Sequence, residues 1–352
     1  MKTSNKLKSN KFMSMKWNKW VLYINAALLP VFSACSADAP MEMVQDDGRV
    51  EIRVSTGISS AVSPATRAVP DGMINSGFGT DLDVAFARAD AGDNDSYTAY
   101  ETKALTGSIT ASNKTLSFSE PVQYYLANGK NTKLIGWYPR RSGVTFTQTT
   151  GEVNFGDIDG KTDIMVTPLQ EGNKNTKMPE FRFKHLLTQI SVKVYAPDAA
   201  AAGLWGKVLS PIKITGMKQS CKFTVPAVTS VAGTEIAAPT FTGTADLDLV
   251  AAQPTAPTTA ITYPLSLGVG TADNAVVAGY AMFAPKSTGS IELQINMETG
   301  GSQKATISVP ASKGFEAGTA YAITLKFTSV GITPNVSVVD WVDGTPIGDI
   351  EI

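Results

Sequence analysis

The chain reads as an all-β protein built from two tandem sandwiches. Three observations predict this. Many short segments alternate apolar and polar residues with period two. Turn residues separate them at near-regular spacing, supplied by 30 Gly and 19 Pro among 352 residues. No run carries helical heptads or a repeat of fixed length. The length suits two domains of ordinary size, which we place at residues 49–190 and 191–352.

The N-terminus is read separately. Residues 1–34 carry six lysines (Lys2, Lys6, Lys8, Lys11, Lys16, Lys19) and no acid. An apolar run, Trp20 to Phe32, follows and ends in Ser33 and Ala34 before Cys35. A basic segment, an apolar run and small residues make a secretory signal peptide over 1–34. The run falls short of the ~20 residues that a spanning helix needs. "VFSAC" resembles a bacterial lipobox, in which the cysteine is acylated, so Cys35 is the expected lipidation site and outer-membrane anchor. Residues 35–48, acidic and irregular, form the tether. Removing the six lysines from the 30 basic residues leaves 24 against 31 acidic ones, a net of −7. That charge gives no footprint for nucleic acid.

In the first half, Val50, Ile52, Val54, Thr56 and Ile58 point one way while Glu51, Arg53 and Ser55 point the other. This is the pattern of a half-buried strand. A loop rich in Pro and Gly (Pro64, Pro70, Gly72, Gly77) follows. Strands are expected at "DLDVAFARA", "GSITAS", "TLSFSE", "TKLIGWYP", "GVTFTQ", "EVNFG" and "TDIMVTP". Residues 181–196, "FRFKHLLTQISVKVYA", read as a strand, a bend and a strand, because β-branched "ISVKV" disfavours a helix. The stretch 197–203 forms a short helix or a linker. The second half continues with "PIKITGM", "CKFTVP", "TFTGTADLDLV", "ITYPLSLGV", "VVAGYAMFAP", "SIELQINME", "KATISVP", "AYAITLKFT" and "NVSVVDWV", with 251–262 as a loop.

Residues able to carry chemistry are few. His185 is the only histidine, which rules out a multi-histidine metal site. Without a nucleophile near it in sequence, it reads as a packed or hydrogen-bonded side chain rather than a general base. Cys221, once Cys35 is assigned to lipid, is a lone thiol on a strand. Asp157, Asp159 and Asp163 lack the closing Glu of a calcium loop and read as a hairpin turn. "GVGTAD" at 268–273 lacks the lysine of a phosphate loop. The chain is therefore expected to be no enzyme and to need no metal or other cofactor.

These segments, in this order, resemble the fimbrillins, lipoprotein-derived pilins. The likeness runs from Cys35 through "VEIRV" and "ATRA" (65–68) to "QYYLANGKNTKLIGWYPR". It continues with "TDIMVTP", "PEFRFKHLLTQISVKV", "PASKGFEAGTAYAITLKF" and "VSVVDWVDG". The resemblance implies transthyretin-like sandwiches and a structural or adhesive role in a surface fimbria, with other fimbrial subunits as partners and a host or bacterial surface ligand as a further one. It also implies cleavage between Arg67 and Ala68 by an arginine-directed protease. The first strand, with Val50, Ile52, Val54 and Ile58, then leaves, and the C-terminal segment of a neighbouring subunit replaces it. On this chain Ile347, Ile350 and Ile352 are the donor residues; Ile347 is out of phase with the other two unless a bulge intervenes. The alternative is a surface lipoprotein that binds glycan or another ligand through Tyr124, Tyr125, Trp137 and Tyr138.

Overall fold

The computed structural model describes residues 49–59, 81–250, 261–311 and 313–339. Cys35, Arg67, Ala68, Ile347, Ile350 and Ile352 lie outside the described residues, as do the signal segment and the tether.

The described chain is all-β apart from one seven-residue helix and a 3-10 turn. The strands up to residue 196 are β1 (Val54–Ser59), β2 (Leu82–Asp90), β3 (Leu105–Ile109), β4 (Thr115–Phe118), β5 (Thr132–Tyr138), β6 (Val144–Thr147), β7 (Glu152–Phe155), β8 (Met165–Val166), β9 (Gln170–Gly172), β10 (Phe181–His185) and β11 (Thr188–Ala196). Helix α1 (Ala199–Trp205) follows. Asp198 caps it by accepting from the Ala201 amide, and Gly206 ends it at φ +67°. Beyond it run β12 (Lys207–Val208), β13 (Lys213–Met217), β14 (Ser220–Thr224), β15 (Thr240–Thr242), β16 (Ala245–Asp248), β17 (Leu265–Ser266), β18 (Gly268–Val269), β19 (Val276–Phe283), β20 (Ser290–Met297), β21 (Gly301–Ser308), β22 (Ala320–Thr328) and β23 (Gly331–Val339).

Eight strands of the first half form one sheet in the order β2-β3-β4-β1-β10-β8-β5-β9, and β2 also pairs with β5. The hydrogen-bonded path therefore returns on itself, and β1 is its link between β4 and β10. The β1–β10 pairing is parallel, Thr56 opposite Phe181 through Ser59 opposite Lys184. The other pairings in this sheet are antiparallel. In the second half, β11 lies between antiparallel β19 and parallel β22, and β23 forms an edge beyond β22. A facing sheet is built on β20, flanked by β13 and β21. A four-stranded sheet, β15-β14-β7-β6, takes two strands from each side of residue 190.

Among the described residues, most buried apolar side chains fall into three clusters. One lies within residues 52–183 and packs Ile52, Val54, Phe86, Phe118, Phe181 and Phe183. Another lies within 190–327, around Val192, Ile214, Ile295 and Phe327. The third draws on both halves, from Trp137 and Phe155 to Cys221 and Met282. The bend expected between 181 and 196 is Leu186–Leu187, both buried in this shared cluster.

Gly136 on β5 shows how closely the first cluster is filled. A Cβ at this position would stand 2.4 Å from Cε1 and Cζ of Phe86, which is itself fully buried. Gly136→Ala should therefore lower stability by about 1–3 kcal/mol through overpacking. The measurement is the urea midpoint of the full chain, and an unchanged midpoint would mean that the Phe86 ring is free to move.

Candidate assembly site

The residues around β1 form the best-defined candidate site. The alternation read in the sequence holds: Ile52, Val54, Thr56 and Ile58 are buried and Val50 is half-buried. On the opposite face Glu51 and Arg53 pair with each other at 2.9 Å. The floor beneath the inward side chains is aromatic. The Phe86 ring meets Phe118, Phe181 and Phe183 edge-on, at centroid distances of 5.6, 5.1 and 6.4 Å.

Three elements grip the strand along its length. Residues 50–52 lie against the segment 121–125. The Ile52 amide donates to the Gln123 carbonyl and the Tyr125 amide donates to the Val50 carbonyl, both at 2.9 Å. The Arg49 guanidinium stands over the Tyr124 ring, 4.6 Å from its centroid. Buried Arg88 organises this segment, donating to Gln123 Oε1 at 2.9 Å and to the Tyr124 carbonyl at 3.0 Å, while Asp90 balances its charge at 3.1 Å.

The middle of the strand meets the β3–β4 hairpin, with Val54 opposite Leu116. Lys114 in that hairpin has φ +55°, an uncommon conformation for a residue with a side chain. Its carbonyl accepts from the Thr56 amide at 2.8 Å and from the Thr56 hydroxyl at 2.7 Å. The last residues, Thr56 to Ser59, pair with β10.

Removing such a strand uncovers backbone groups of β4 and β10 and an apolar trough. Its three fully apolar buried side chains contribute on the order of 5–9 kcal/mol, an upper bound. A strand of the same pattern would restore both the ladder and the burial.

The remaining candidates are absorbed by the fold. His185 Nδ1 lies 2.5 Å from Asp163 Oδ2, and neither side chain reaches solvent. Burial raises the Asp163 carboxyl above the usual carboxylate range, against the opposing pull of His185. Asp159 makes a turn: its Oδ1 accepts from the Lys161 and Thr162 amides, and its Oδ2 from Arg141 and the Thr162 hydroxyl. Burial pushes the Asp159 carboxyl up, but the bonds from Thr162, Arg141 and Lys161 outweigh it and hold the group below its ordinary value. Among the described residues no group of three metal-ligating side chains comes together.

The aromatics proposed for sugar stacking divide. Trp137 and Tyr125 are buried, 1% and 3% exposed, and so present no face to a ligand. Tyr124 and Tyr138 are half-buried, and Tyr124 carries Arg49. The sequence reading missed Lys114, Gln123 and Arg88. "SNKT" signals a turn, but nothing in it marks the lysine, rather than the asparagine, as the left-handed residue.

Fold and site together define an all-β protein of several stacked sheets, organised around an inserted first strand. The profile of one family, described as fimbrillin-like, matches residues 66–341, and the chain belongs to that family. Among solved structures, a candidate cell adhesion protein of Bacteroides uniformis is similar, with TM-score 0.52 and 18% identity over 85% of this chain and 100% of that one. A second, from Bacteroides ovatus, is similar with TM-score 0.50 and 18% identity over 84% and 99%. At this identity the likeness is one of fold. No curated protein matches the sequence.

Cys221, on β14 opposite Phe155 and Phe241, is buried, and that burial pushes its thiol up to about 12. It should resist a thiol reagent at pH 8 in the native protein and react once urea unfolds the chain. Peptide mapping by mass spectrometry reads the labelling, and native labelling at Cys221 would show that β14 opens.

Proposed function

We propose that this protein is a structural or adhesive subunit of a cell-surface fimbria, exported as a lipoprotein through Cys35 and assembled by protease-triggered strand exchange. In this reading residues 49–190 and 191–352 are two transthyretin-like sandwiches, joined through the shared core cluster. Membership of the fimbrillin-like family supports the surface role and the association with other fimbrial subunits. The observation that carries the exchange step is the position of β1. It is the link between β4 and β10, it runs parallel to β10, and only the connection 60–80 ties it to β2. Arg67 is the one arginine in that connection. Arg49 stacks on Tyr124 and Arg53 pairs with Glu51, so both are poorer protease targets. A cut between Arg67 and Ala68 would free the strand bearing Val50, Ile52, Val54 and Ile58. Ile347, Ile350 and Ile352 would then donate to a neighbouring subunit.

The packed state of Trp137 and Tyr125 removes half of the aromatic set on which a glycan-binding reading rests. No described cluster supports an enzymatic one.

Two experiments test the reading. The N-terminus of the surface-extracted protein, determined by mass spectrometry, should begin at Ala68 for a stalk subunit, or at acylated Cys35 for an anchor that escapes the cut. An N-terminus at Met1 would rule out export through this signal. Deletion of residues 345–352 should leave a folded, secreted monomer that forms no fibres under the electron microscope. Fibres from that truncation would move the donor elsewhere in the chain.

A further inference from the structure

The inward stripe of β1 is apolar except at one place. Thr56 is 2% exposed among Ile52, Val54, Ile58 and the phenylalanines below them. A hydroxyl there must find a partner, and it finds the Lys114 carbonyl at 2.7 Å. The same carbonyl takes the Thr56 amide at 2.8 Å, so both its lone pairs are used by one residue. The Lys114 backbone at φ +55° turns this carbonyl toward the strand, and Lys114 N–H to the Thr110 carbonyl at 2.8 Å fixes the turn. The acceptor therefore belongs to the groove and remains when the strand leaves.

We infer that the Lys114 carbonyl is a specificity point of the groove. It selects an incoming strand with serine or threonine at the position of Thr56, in register with apolar residues two and four places before it and two after. This inference rests on the strand-exchange reading and names the partner of that same site. Only serine and threonine offer an amide and a hydroxyl from one residue at that spacing. Valine, equal in size, would leave a buried lone pair unmet.

The pattern also bears on where the strand comes from. In the phase of Ile350 and Ile352, the preceding positions of this chain are Pro346 and Gly348, which fill no trough. In the phase of Thr345 and Ile347, Asp343 falls where Val54 is buried, and a carboxylate there is costly. This segment therefore fits the groove poorly, and by the same inference the groove's occupant is a different subunit.

The test uses the full chain cut after Arg67 by an arginine-directed protease. Synthetic peptides spanning 49–59 are added, with threonine, serine or valine at position 56, together with a peptide spanning 339–352. Competition for the groove is read by fluorescence anisotropy. The serine peptide should bind about fourfold weaker than threonine, through one lost buried methyl, with the valine peptide and the C-terminal peptide each about tenfold weaker or more. Entry of the valine peptide as tightly as threonine would overturn the hydroxyl requirement while leaving exchange intact. Equal binding of the C-terminal peptide would overturn the assignment to a different subunit. If no peptide enters, the exchange reading falls, and selection of an incoming strand with it. Thermal midpoints of the uncut Thr56→Val and Thr56→Ser proteins give a check that does not need exchange: a Val variant as stable as Thr and Ser would also overturn the inference.

Discussion

The closure of the first sheet by β1 is the constraint on which the rest of this structure depends. Neighbouring β2, β3 and β4 pair in chain order, so their contacts form locally. The partners of β1 lie far along the chain, Thr56 meeting Lys114 at a separation of 58 residues and Phe181 beyond it. A strand parallel to its neighbour is not joined to it by a tight hairpin. β1 thus completes the sheet without sharing a turn with any strand it touches. Its separation from β4 and β10 would unfold no hairpin.

The frame around that strand is held by different forces. Arg88, 6% exposed, ties β2 to the irregular segment 121–125. Lys133, 4% exposed, reaches from β5 to the Val228 and Ser230 carbonyls at 2.9 and 2.7 Å, with its ammonium 4.0 Å from the Tyr97 ring centroid. Both cations bind backbone carbonyls, and Asp90 and Glu171 offset their charges. Charge-assisted bonds of this kind are directional and costly to break one-sidedly. β1 itself is held mainly by apolar burial and backbone pairing, with the Thr56 hydroxyl bond to the Lys114 carbonyl as the polar contact of its inward face. In the proposed exchange, this contrast separates the scaffold from the strand that is replaced.

The sequence carried the strands well because period two is a local signal. The alternation at 50–58, a bend within 181–196 and the long strands β20 and β22 were all legible from side-chain pattern alone. The helix at 199–205 was legible as one of two readings, since alanine favours it and Asp198 caps it. The parallel pairing of β1 with β10 was not legible, because pairing partners depend on tertiary contacts that leave no mark on either strand. The same holds for β14 against β7, where strands from the two halves meet. Within the site, the inward stripe was readable but its polar contact was not. By pattern Thr56 is one more β-branched residue of the stripe, and its partner, the Lys114 carbonyl, lies 58 residues away in sequence.

The residues that looked most capable of chemistry are spent on holding this frame. His185 and Asp163 face each other across β10 and the approach to β8, sealed from solvent. Asp159 is committed to a turn and to Arg141, and Cys221 is a small apolar side chain against Phe155 and Phe241. A reacting group must meet a substrate, and these groups are enclosed or already paired. Under the proposed exchange, their positions suit a scaffold that keeps its shape while one strand is replaced. Directional polar contacts add to the register that the buried apolar faces already set.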